Sequence, residues 1–161
     1  MTSTMTHIPA THTSFVIERS FNAPPAAVFN AWADPKTKRQ WSDCHSEHNA
    51  EFSMDFRPLG RETYRVVHPE HGIELVEKVF FDISLDRRIV FAYDISVAGR
   101  RLSVSLVTVE FTPTASGTAM VYTEQLAYLD GHHDLEQRIH GTTEGIDRLG
   151  LLVDAGQGGT H

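Results

Sequence analysis

The sequence predicts an α+β fold in which a curved antiparallel sheet of seven strands wraps around a long C-terminal helix, with two short helices between strands 1 and 2. Three observations carry this. Apolar residues recur with period two from about 48 to 127, broken by short turn-forming stretches. A proline-marked segment, 22–41, interrupts that pattern after a first strand, and the stretch from Asp130 to about Asp154 repeats at helical spacing. A seven-stranded antiparallel sheet must bury one face, and the C-terminal helix is the one element long enough to cover it.

Each element has its own signal. "SFVIERSF" sets Phe15, Ile17 and Phe21 against Val16, Glu18 and Ser20, a first strand. In "NAPPAAVFNAW" two prolines precede Val28, Phe29 and Trp32; proline is favourable in a first helical turn because its missing N–H would be unpaired there. "ADPKTKRQW" restarts after Asp34 and Pro35 as a second short helix ending near Trp41. Six strands follow at about 48–56, 60–68, 73–83, 88–97, 101–112 and 117–127, separated by "RPLGR", "HPEHG", "SLDRR", "AGRR" and "TASGT". Links this short suit successive antiparallel pairing. In the last helix Asp130 or Asp134 can cap the start, and Gly156 follows the end.

The chain has 161 residues, the size of one domain, and 40% of them are hydrophobic. Fourteen Lys and Arg stand against 21 Asp and Glu, a net charge of −7, which disfavours a nucleic-acid partner. Neither a secretory signal nor an apolar run of membrane-spanning length is present. Cys44 is the single cysteine, which excludes an internal disulfide framework and suits a cytoplasmic location. Residues 1–13 read as a flexible leader, 14–155 as the folded domain and 156–161 as a flexible tail.

The stretch "VIERSFNAPPAAVFNAWADPKTKRQW" resembles the opening of the helix-grip proteins of the SRPBCC, or START-like, superfamily. "DFRPLGRE", "FFDI", "FAYD", "LSVSLVTVEF", "YTEQLAYLDG" and "RIHGTTEGIDRL" are similar to the branch named after the activator of the heat-shock-protein-90 ATPase. The resemblance runs from about 15 to 153. It implies a helix-grip fold, and a superfamily range of functions that includes lipid carriers, hormone receptors, polyketide cyclases and cochaperones. Leu59 stands where the branch often has a second glycine, and Leu126 where "TEQG" is common; Leu126 adds bulk expected near the cavity mouth.

The most conspicuous polar cluster is "HHDLEQRIHGTTE". At roughly 100° per residue, His133, Glu136, His140 and Glu144 fall within about 80° on a helix. Leu135, Ile139, Thr142, Ile146, Leu149 and Val153 cluster about half a turn away, and that stripe must face the sheet. The histidines and glutamates therefore face solvent, and no metal site is expected from them. "QWSDCHSEH" holds Cys44, His45 and His48 without a fourth ligand at a familiar spacing or an oxyanion-forming turn, and reads as a loop. Neither a phosphate loop nor a nucleophile elbow occurs, and no cofactor is expected.

A sheet curved around one helix leaves more room than side chains fill, so the expected site is an internal cavity. Parity selects its polar lining. Glu77 shares a side with Ile73, Leu75, Val79, Phe81 and Ile83; Ser103 and Ser105 share one with Val107, Val109 and Phe111; Glu124 shares one with Met120, Tyr122 and Leu126. Two readings stand side by side: these glutamates orient a ligand, or they pair with Arg57, Arg61 or Arg65 at the sheet rim, because an unpaired buried charge is costly. Trp32, Trp41, Phe52, Met54, Tyr64, Phe91, Tyr93 and Tyr122, with Thr142, Ile146 and Leu149 from the helix, complete the expected lining. The expected function is binding of a small hydrophobic or aromatic molecule. The alternatives are a cyclase-like enzyme using Glu77 or Glu124, and a stimulator of a chaperone ATPase; a homodimer is compatible with either.

Overall fold

The structure is a computed structural model that describes residues 7–43 and 48–158. Its order is β1 (Thr11–Phe21), α1 (Pro25–Ala33), α2 (Pro35–Ser42), β2 (Glu51–Met54), β3 (Arg61–His68), β4 (Gly72–Ser84), β5 (Arg88–Val97), β6 (Arg100–Pro113), β7 (Thr118–Tyr128) and α3 (Leu135–Gly158). One seven-stranded antiparallel sheet runs β1-β7-β6-β5-β4-β3-β2. Successive strands from β2 to β7 pair through short links, and β1 returns to the free edge of β7.

Three elements differ from expectation in their bounds. β1 begins at Thr11, because Thr11–Thr13 continue the pairing with Leu126–Tyr128 and so belong to the sheet and not to a leader. β2 is confined to four residues. α3 starts at Leu135, later than Asp130, and continues through Gly156; Asp130 adopts φ 52° in the preceding turn, and the Arg138 N–H donates to the Asp134 carbonyl oxygen.

The local chemistry explains the two short helices. Pro25 opens α1, and the Asp34 carboxylate accepts from the Thr37 N–H at 2.9 Å and its hydroxyl at 2.7 Å to cap α2. These bonds hold the Asp34 carboxyl below the ordinary carboxylate range. The Trp41 indole N–H then donates to the Ala31 carbonyl oxygen at 2.8 Å, fixing α1 against α2.

The concave face carries Phe15, Ile17, Phe21, Phe91, Val107, Val109, Met120 and Tyr122, and α3 lays Ile146, Leu149 and Val153 over it. The apolar stripe expected on the last helix thus faces the sheet. Leu126 belongs to this core and lines neither compartment of the cavity described below, so it does not narrow the mouth.

Parity on β4 turned out opposite to expectation. A β-bulge between Phe80 and Asp82 inserts one residue, so the inward set is Val76, Lys78 and Phe80 before the bulge and Ile83 after it. Glu77 is exposed on the convex face, beside Arg61, Asp94 and Arg101. Counting apolar residues chose the wrong face because a lysine stands among the inward residues.

Candidate functional site

Between the concave face of β3–β5, α2 and α3 lies a cavity of two adjoining compartments. The first, about 200 Å³, is lined by Trp32, Trp41, Phe91, Tyr93, Tyr122, Ile146 and Thr142 together with Lys38, Lys78 and Arg148. The second, about 480 Å³, adds Phe52, Glu62, Tyr64, Ile95, Asp134 and Arg138. They share Ser42, Val76, Lys78, Tyr93, Gly141 and Thr142. On the α3 side the wall is made by Gly141, Thr142 and Gly145; a Cβ on Gly141 would meet open space, while one on Gly145 would touch Trp41.

At one wall, Lys38 and Glu62 are 2% and 3% exposed. The Lys38 ammonium donates to Glu62 Oε1 at 2.7 Å, and Lys78 lies 3.1 Å from Oε2. Burial pushes the Lys38 ammonium down to about 8 against the opposing pull of Glu62. Burial alone would raise the Glu62 carboxyl, but the two ammonium groups together outweigh it and hold the carboxyl down at about 2. Lys38 also stands 5.5 Å from the ring centroids of Trp32 and Trp41, and Lys78 5.0 Å from that of Phe91, within cation–π range.

Behind the opposite wall lies a second cluster. Glu124 is 0% exposed and accepts from Tyr93 at 2.5 Å, Ser105 at 2.7 Å and Tyr122 at 2.7 Å. Arg138 reaches it at 3.5 Å, donates to Ser103 at 2.8 Å and pairs with Asp134 at 3.2 Å. Burial, then the Glu124 charge, pushes both the Tyr93 and Tyr122 hydroxyls well above the ordinary phenol range. Tyr128 donates to Asp134 at 2.8 Å and its hydroxyl is pushed up to about 12, chiefly by burial. Glu124 therefore pairs with an arginine of α3; Arg57 and Arg65, expected at the rim, pair with Asp55 and Glu51 instead.

Of the residues expected at the site, Trp32, Trp41, Phe52, Tyr64, Phe91, Tyr93, Tyr122, Thr142 and Ile146 line the cavity. Ser105 and Glu124 lie beneath its tyrosines, while Met54 and Leu149 pack in the core. Glu77 lies on the other side of the sheet. His133, Glu136, His140 and Glu144 are exposed, and His140 pairs with Glu144 at 2.9 Å. No cluster able to hold a metal ion occurs among the described residues. Cys44 and His45 lie outside the described residues, and the His48 ring stands 5.4 Å from that of His68.

Lys38, Glu62, Lys78 and Arg138 were not foreseen. Signals existed for three: Glu62 shares parity with Tyr64 and Val66, Lys78 with Val76 and Phe80, and Arg138 sits between Leu135 and Thr142 on the apolar stripe. Glu62, Lys78, Tyr93 and Ser105 are cross-strand partners in one row. Nothing local distinguished Lys38 in a helix rich in charge.

Strand order, the paired short helices and the long helix over a concave sheet define the helix-grip class of the SRPBCC superfamily. Within it, the chain belongs to the family of activator of Hsp90 ATPase homolog 1-like proteins, whose profile matches residues 22–153. It is similar to an uncharacterised protein from Rhizobium leguminosarum, at 41% identity and a TM-score of 0.86 over 91% of this chain and 97% of that one. The Mll3558 protein from Rhizobium loti shares 38% identity at a TM-score of 0.84, over 89% and 99%. A protein of unknown function from Staphylococcus aureus, SA2116, shares the fold at 17% identity and a TM-score of 0.73, over 92% and 97%. No curated protein matches the chain. Among the described residues no helix is long and apolar enough to cross a membrane.

Proposed function

We propose that the protein binds a small hydrophobic or aromatic molecule in the cavity between the sheet and α3. The observation that carries this is the lining of the smaller compartment. It combines five aromatic side chains with Thr142, Gly141 and Gly145 of α3, and a Cβ on Gly141 would meet no neighbour. A volume of about 200 Å³ exceeds the roughly 150 Å³ of an apolar cavity that admits benzene. A reducing cytoplasm is the proposed setting, in keeping with a single cysteine.

The cyclase-like alternative has less support. The Glu124 carboxylate is surrounded by three hydroxyls and a guanidinium, which leaves it little capacity to take a substrate proton, and Glu77 is remote from the cavity. Stimulation of a chaperone ATPase is suggested by the family name and by no feature of the cavity. Native mass spectrometry of the purified protein tests the proposal: a retained small molecule is expected, and it should be absent from a Thr142→Phe variant that fills the shared wall. No retained molecule, together with no binding of any aromatic probe by calorimetry, would overturn it.

A further inference from the structure

The smaller compartment has an unbalanced charge. Two ammonium groups, Lys38 and Lys78, share the single carboxylate of Glu62, so the triad carries one excess positive charge at a wall shielded from water. Arg148 also lines this compartment, its Nε donating to the Trp41 carbonyl oxygen at 2.9 Å, and no carboxylate does. Of the other acids, Glu124 is enclosed by Tyr93, Tyr122, Ser105 and Arg138, while Glu74 and Asp134 line the adjoining compartment, Glu74 at 3.6 Å from His68 and Asp134 engaged by Arg138, Tyr128 and His132.

A second observation is independent of charge. Trp32 is 4% exposed and lines the same compartment, and its indole Nε1 is the one buried side-chain nitrogen or oxygen without a hydrogen-bond partner among the described residues. An unpaired buried donor is costly, so the residues around this compartment leave one polar group that the fold itself does not satisfy. The compartment wall itself offers donors in the spare hydrogens of the Lys38 and Lys78 ammonium groups. The Tyr93 and Tyr122 hydroxyls already donate to Glu124.

We propose that the bound molecule is a small aromatic carboxylate, with its ring among Trp32, Trp41 and Phe91 and its carboxylate directed to Lys38 and Lys78. This rests on the cavity being a ligand site, as argued above, and adds the charge and polarity of the ligand. A neutral aromatic ring would fill the volume but leave the excess charge unbalanced. A carboxylate accepts from several donors and neutralises the triad. The compartment has space for one ring with a short acidic arm.

Calorimetric titration with phenylacetate and 3-phenylpropionate, each beside its uncharged primary amide, tests this on the intact protein. The pairs match in size and planarity and differ in charge and in accepting capacity. Each acid is expected to bind about tenfold or more tightly than its amide. Lys78→Gln, which reduces the triad to a neutral pair, should bring that ratio towards one, and Lys78→Arg should restore it. Equal binding of acid and amide by the unaltered protein would overturn the charge assignment while leaving the ligand cavity standing. A ratio unaffected by Lys78→Gln would overturn the role of the triad. Absence of binding by acids, amides and toluene alike would remove the ligand-site reading and this one with it. The first comparison needs no variant, so a failure of Lys78→Gln to fold does not shield the proposal.

Discussion

Glu62 is where single-residue chemistry reaches furthest into the behaviour of the molecule. Its folded value of about 2 lies below the usual 4.5, so between these values the unfolded chain binds the extra proton. The stability it contributes is therefore full above about pH 4.5 and is lost as pH falls towards about 2. Lys38 acts in the opposite sense: with a folded value of about 8 against 10.5, its burial costs most while the ammonium is charged, and stability rises as pH increases from about 8 to 10.5. Urea denaturation of the unaltered protein across the acid range should show the Glu62 contribution as a falling limb. In Glu62→Gln that limb should be shallower; an identical slope would remove Glu62 from the account. Neither member of this pair was identified from sequence, since charged residues on an amphipathic pattern are read as solvated until something shows that they meet.

At the scale of elements, the loop between β2 and β3 shows a departure from family pattern turning into a backbone cost. Leu59 stands where a second glycine is common, and it adopts φ 64° while 71% exposed. The left-handed region costs an ordinary L-residue roughly 1–2 kcal/mol. The position is held because the Leu59 N–H donates to the Phe80 carbonyl oxygen and the following residue, Gly60, sits where a Cβ would lie 2.1 Å from the Asp55 carbonyl oxygen. Leu59→Gly should therefore stabilise the protein by about 0.5–1 kcal/mol, the relief exceeding the added flexibility of glycine in the unfolded chain. A thermal or urea midpoint that stays put or drops would show that the exposed leucine contributes more than its backbone costs. On α3 the elements were legible in a different way: Leu135, Ile139, Ile146, Leu149 and Val153 announced the buried face at helical spacing. The helix start did not, because Asp130 and Asp134 are both chemically suitable caps, and Asp130 is taken up in the turn at Leu129–His132.

For the whole molecule, Arg138 is a buried polar tie that joins α3 to the sheet. It bridges Ser103, Ser105 and Glu124 on β6 and β7 to Asp134 beside its own helix, with the Tyr128 ring 5.3 Å from its guanidinium. Replacing it by Met keeps the length but leaves Glu124 buried without its cation, so Arg138→Met should cost about 3–5 kcal/mol in urea unfolding. A loss below about 1 kcal/mol would mean that the three hydroxyls alone satisfy Glu124.

The antiparallel sheet, its seven strands, the two short helices and the aromatic composition of the cavity were determined by the sequence itself. Each follows from local rules, namely period-two alternation, proline at helix starts and a helical stripe, and these act within a few residues of the chain. What the tertiary structure decided is which polar residues are inside. On β4 Val76, Lys78 and Phe80 face inward, so Lys78 lines the cavity and Glu77 lies on the other face. Lys38 and Glu62, 24 positions apart, became one pair only when α2 was laid against β3. A buried charge is tolerable only beside a partner, and the spacing around either residue alone does not show which partner folding will bring to it.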